Sequence, residues 1–82
     1  MQIDHLVTMA NQIGDFFKSS PDQEQAKKDI AHHLARFWAK SMRQQISQYV
    51  QDKNGEGLHL IVRDAIRQYL DTDANLVSSI GQ

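Results

Sequence analysis

The stretch FWAKSMR at residues 37–43 decides the fold. Helical periodicity runs into it from one side and out of it on the other. It contains neither proline nor glycine to mark a break. Ser41 is suited to cap a new helix, but the chain is equally able to continue through it. Continuation would make residues 21–50 one rod, far beyond the mean helix of ~11–12 residues. Length therefore favours a bend between Trp38 and Met42. Phe37 extends the apolar stripe before it and is expected in the core. Trp38 is displaced from it by about 100° of helical rotation, and so either caps the edge of a bundle or is presented to a partner.

Upstream, Ile3, Leu6, Val7, Ala10, Ile13, Gly14 and Phe17 fall at steps of three and four. That spacing predicts a helix over residues 3–18 with one apolar stripe. A second start is written in SSPDQEQAKKDI. Ser20 suits the N-cap, Pro21 the first helical position, and Gln23 completes a capping-box pattern. Asp22 and Glu24 complement the helix dipole, and Glu24 is spaced to pair with Lys28. The stripe Ala26, Ile30, Leu34 and Phe37, with His33 beside it, carries this helix over residues 21–38.

Met42, Ile46, Tyr49 and Val50 continue the pattern beyond the bend. QDKNGEG is the clearest break, because Asn54-Gly55 and Gly57 favour positive φ. Leu58, Ile61, Val62, Ala65, Ile66 and Tyr69 then mark a last helix. The tail from residue 71 to 82 is weakly patterned and is expected to fray, with Leu76, Val77 and Ile80 able to dock as a short turn. The fold class expected is all-α: one domain over residues 1–82, ordered over about 3–70, in a small antiparallel bundle of about four helices.

Composition restricts the chemistry. The 82 residues include no cysteine, which excludes disulfides, thiolate metal sites and a thiol nucleophile. It also favours a reducing compartment. No apolar run approaches the ~20 residues that span a bilayer, and MQIDHLV lacks the pattern of a signal peptide. A cytoplasmic protein without a membrane partner is expected. Nine basic and ten acidic residues give a net charge of −1, so no nonspecific nucleic-acid binding is expected.

The candidate catalytic groups do not converge. His32 and His33 are adjacent, whereas two ligands on one helix face need a spacing of three or four. Asp29 and His33 are the only pair at that spacing, and His33 is better read as edging the core while His32 faces water. The serines fall in caps, on helix surfaces or in the tail, without a Gly-x-Ser-x-Gly elbow. GEGL resembles a phosphate loop only superficially, because it follows no strand and lacks the third glycine. No catalytic, metal or cofactor residue is assigned.

What remains is a surface. Arg36, Lys40 and Arg43 step by four and three beside Trp38 and Met42. A continuing helix would join them into one basic edge, suited to the acidic surface of a partner. The competing use of that edge is phosphate contact by a small helix-turn-helix regulator, which the charge balance disfavours. In MANQIG, residues 9–14, the amides of Asn11 and Gln12 lie off the core stripe. Gly14 inside a helix costs about 1 kcal/mol relative to Ala. It implies close approach of another backbone, within the domain or from outside it.

IDHLVTMANQIGDFF, SSPDQEQAKKDIAHHLARFW, MR and GEGLHLIV, in this order and spacing, resemble the delta subunit of cytoplasmic, NAD-dependent, molybdenum- or tungsten-containing formate dehydrogenases. The resemblance spans residues 3–66. The distinctive parts are MANQIG, His33-Leu34 with Phe37-Trp38, and Gly55-x-Gly57-Leu58. Lys40 and Ser41 stand where the family usually has a proline and an arginine, and His59-Leu60 where a proline is usual. The resemblance implies a non-catalytic accessory subunit that stabilises or matures its complex and carries no cofactor. It places the bis-pterin metal centre in the catalytic alpha subunit, and the iron–sulfur clusters and FMN elsewhere in that complex. The docking residues expected here are Asn11, Gln12, Gly14, Arg36, Trp38, Lys40, Met42 and Arg43. A further alternative, read from Trp38 and not from the resemblance, is a homodimer that buries this side chain when the partner is absent.

Overall fold

The computed structural model describes residues 2–70. Helix α1 spans Ile3–Phe17, α2 Gln23–Phe37, α3 Lys40–Lys53 and α4 Leu60–Ala65, which runs on as a π-helical segment, Ile66–Leu70. No strand occurs among the described residues. The all-α bundle expected from periodicity is the observed fold. The expected turn of the tail, with Leu76, Val77 and Ile80, lies outside the described residues.

The apolar stripes meet in one core. Leu6 and Ala10 from α1, Ile30 and Leu34 from α2, Ile46 and Val50 from α3, and Val62, Ala65 and Ile66 from the last helix are all buried. Helix α2 is the central element and touches each of the other three. Burying a Leu or Ile side chain contributes about 1.5–3 kcal/mol, so these stripes are the main source of cohesion.

The start of α2 departs from the expectation. Its N-cap is Asp22, not Ser20, with Oδ1 accepting from the Gln25 N–H at 3.1 Å. A cap of this kind stabilises by ~1 kcal/mol relative to Ala. Pro21 therefore lies before the helix instead of opening it. Gln23 does fold back, but its Nε2 donates to the carbonyls of Lys18 and Ser20, both at 3.0 Å. An ionised carboxylate is the stronger acceptor for an orphan helix N–H, and Asp22 is placed to use it. Glu24 pairs with Lys27 at 3.3 Å, not with Lys28, whose ammonium lies 6.0 Å from the Tyr69 ring centre.

The bend falls where length required it. Trp38 (φ −87°, ψ 142°) and Ala39 (φ −61°, ψ 152°) are extended, and α3 restarts with the Arg43 N–H on the Ala39 carbonyl at 3.1 Å. Ala39, not Ser41, occupies the N-cap. The bend overturns the core place expected for Phe37, which is 66% exposed, while Trp38, 7% exposed, packs at the bundle edge, one of the two places expected for it. The 100° rotation per residue holds only while the helix continues. With the helix ended at Phe37, the extended backbone of Trp38 returns its indole to the core and leaves Phe37 outside.

The α3–α4 turn uses the positive φ read in its sequence: Asn54 at 59°, Gly55 at 67° and Gly57 at 91°. Tyr49 Oη donates to the Glu56 carbonyl at 2.5 Å, and Arg67 to Asn54 Oδ1 at 2.8 Å. At the opposite end, Tyr69 Oη donates to the Glu24 carboxylate and ties the π-helical segment to the start of α2. This bond, with Lys27 second, holds the Glu24 carboxyl below its ordinary range, and the same bond pushes the Tyr69 phenol up.

Candidate docking face

Helix α1 divides the MANQIG residues between two faces. One face serves the fold. Asn11 Nδ2 donates to the Gly57 carbonyl at 2.9 Å, and the His59 N–H donates to Asn11 Oδ1 at 2.9 Å. Gly14 is buried against α4, and a Cβ there would fall well inside van der Waals contact with Val62 Cγ2. His59 Nε2 lies 3.1 Å from Asp15 Oδ1 and closes the same seam. The unusual residues Asn11 and Gly14 are thus accounted for by neighbours within the domain.

The other face forms a groove of about 460 Å³. Helix α1 contributes Met9, Gln12, Ile13, Phe16 and Phe17, α2 contributes His33, and Trp38 lines it from the bend. A run of rings crosses it. Phe16 and Phe17 meet edge-on with centroids 4.9 Å apart, Phe17 lies 6.4 Å from His33, and His33 lies 4.7 Å from Phe37. The Arg36 guanidinium ends the run, 5.7 Å from the Phe37 ring centre. Phe16, 78% exposed, and Phe37 are among the exposed large apolar side chains. Rings at these separations contribute about 0.5–1.5 kcal/mol per pair beyond burial. They order the face without covering it.

Of the docking residues expected from sequence, Gln12 and Trp38 both line this groove. Asn11 and Gly14 point into the α1–α4 seam. Arg36 and Lys40 are exposed but lie on different helices, because the chain leaves the helix at Trp38 and Ala39. They do not form the single helical edge considered above. Met42 and Arg43 are half-buried at the start of α3, and Arg43 Nε is buried without a hydrogen-bond partner.

Sequence reasoning missed Phe16, Phe37 and Met9 as surface elements. Phe16 carried a usable signal: it falls off the stripe of Ile13, Gly14 and Phe17, so a large ring there must face away from the core. His32 is exposed and His33 half-buried, as read from their positions. Asp29 Oδ1 accepts from Gln25 Nε2 at 3.0 Å. Among the described residues no group of three or more His, Asp or Glu is placed to hold a metal ion, and no helix is long and apolar enough to cross a membrane.

Searches of curated proteins and of solved structures return no match. A family comparison does: residues 5–66 match the family described as NADH-dependent formate dehydrogenase delta subunit FdsD. The matched span contains the core residues from Leu6 to Ile66, the Asn11 clamp, the bend at Trp38 and the glycines Gly55 and Gly57 of the turn. The chain belongs to the FdsD family of NADH-dependent formate dehydrogenase delta subunits.

Proposed function

We propose that this chain is a non-catalytic accessory subunit of a cytoplasmic NAD-dependent formate dehydrogenase. It binds the catalytic subunit and stabilises or helps mature the assembly. The observation that carries this reading is the aromatic groove. Phe16 and Phe37 stand exposed on one face of a domain whose family is a delta subunit. Contiguous apolar surface of this kind marks interaction sites, and Trp and Arg are enriched at their energetic centres.

The bis-pterin molybdenum or tungsten centre, the iron–sulfur clusters and FMN are assigned to the other subunits, and no cofactor to this one. The absence of cysteine from the sequence supports that division, because thiolates hold iron–sulfur clusters.

The test is affinity capture of the tagged full-length chain from its native cytoplasm, with bound proteins identified by mass and assayed for formate-dependent NAD reduction. Recovery of a large subunit together with that activity is expected. Recovery of a folded chain without it contradicts the proposal.

A further inference from the structure

The charges around the groove specify the segment that fits it. No Asp or Glu occurs between Asp29 and Asp52, and Arg36, Lys40 and Arg43 all fall in that interval. None of the three enters an ion pair among the described residues. The acid nearest the other end of the groove, Asp15 beside Phe16, is already held by Lys18 Nζ at 3.2 Å and His59 Nε2 at 3.1 Å. Arg36 lies over Phe37, and Lys40 opens α3 two residues after Trp38. The groove therefore has a largely apolar lining and, beyond the end where His33 meets Phe37, cations that no acid among the described residues pairs.

A second copy of this chain suits those cations poorly. A two-fold contact through the groove would bring a second set of the same cations into one interface, and added like charge there opposes association. A carboxylate-bearing segment answers both features. Its apolar side chain would find room in about 460 Å³, within the ~300–1,000 Å³ typical of sites for compact organic groups. Its acids would meet Arg36, whose planar fork pairs carboxylates in two bonds, and Lys40.

We infer that the groove receives an acidic amphipathic segment of the catalytic subunit, seating one apolar side chain between Phe16 and Phe37 with a carboxylate facing Arg36 and Lys40. This rests on the accessory-subunit reading above. The test captures formate dehydrogenase activity on the tagged full-length chain at rising potassium chloride. It compares wild type with R36E/K40E, with R36Q/K40Q, with F16A/F37A, and with K28E/K53E, whose reversed charges lie outside the groove. Far-UV circular dichroism checks that each folds.

Wild-type capture should weaken with salt. R36E/K40E should lower it about tenfold or more, R36Q/K40Q less, and K28E/K53E should leave it unchanged. Salt-independent capture that both charge variants retain, but F16A/F37A loses, overturns the acidic segment and leaves the accessory role standing. Wild-type capture of nothing formate-active removes the accessory reading and this inference with it. Concentration-dependent sedimentation of the free chain that F16A/F37A abolishes assigns the groove to a second copy, and also overturns the inference.

Discussion

Asn11 clamps the Gly57–His59 turn with both atoms of its amide, donating to the Gly57 carbonyl and accepting from the His59 N–H, each at 2.9 Å. One side chain on α1 thereby satisfies the backbone on both sides of Leu58, a core residue. Each such bond contributes a net of about 0.5–1.5 kcal/mol. Asn11→Ala should lower stability by about 1–3 kcal/mol, read as an earlier midpoint in urea with an unchanged slope. An unaltered midpoint would show that the turn holds itself.

Gly14 sets the distance between α1 and α4. Alanine has the higher helix propensity by about 1 kcal/mol, so an unconstrained site would be stabilised by Gly14→Ala. Here the added Cβ meets Val62, and overpacking costs about 1–3 kcal/mol. The prediction is net destabilisation that Val62→Ala partly relieves. In a double-mutant cycle the two changes should couple favourably, and strict additivity would contradict the contact.

The burial of Trp38 in place of Phe37 is open to the same kind of measurement. Trp38→Ala should cost about 3–5 kcal/mol, as for other buried aromatics. Phe37→Ala should cost only about 0.5–1.5 kcal/mol, the scale of its ring contact with His33. A larger loss at Phe37 than at Trp38 would restore the order expected from helical rotation.

The Tyr69–Glu24 bond gives stability a dependence at both ends of the pH range. Glu24 is held below its ordinary value near 4.5, first by the Tyr69 hydroxyl and then by Lys27. Its contribution is present above that value and is lost as pH falls through the folded-state pKa. Tyr69 is raised above its ordinary value near 10.0, chiefly by Glu24. Its contribution is present below that value and is lost as pH rises through the folded-state pKa. Tyr69→Phe should weaken both dependences together. A variant whose melting temperature follows the wild-type pH profile at both ends would refute the bond.

Much of this architecture was legible in the sequence because it follows from periodicity and turn chemistry. The stripes of Leu6–Ala10, Ile30–Leu34 and Ile46–Val50 bury as spaced, and the Asn54-Gly55 pair adopts the positive φ that its composition favours. Length alone calls for the bend, and the chain leaves the helix at Trp38 and Ala39. Its consequence was not legible: where a helix stops, the next side chain follows the local φ and ψ, and Trp38 is that side chain. Asp22 displaced Ser20 for a related reason: either residue satisfies the cap pattern, and the path of the backbone places the stronger acceptor, the Asp22 carboxylate, at the helix start. Asn11 and Gly14 looked like interface residues because their partners lie more than forty positions away. The sequence marked them as special without naming what they meet.

The most direct test of the docking face is amide hydrogen exchange of the full-length chain, free and bound in the formate dehydrogenase assembly. Added protection is expected only at residues 9–17 of α1 and at residues 36–43 around the bend. The Asn54–Leu58 turn, on the opposite side of α1 from the groove, should exchange equally in both states. Protection at that turn, with residues 9–17 and 36–43 unchanged, would contradict this docking face.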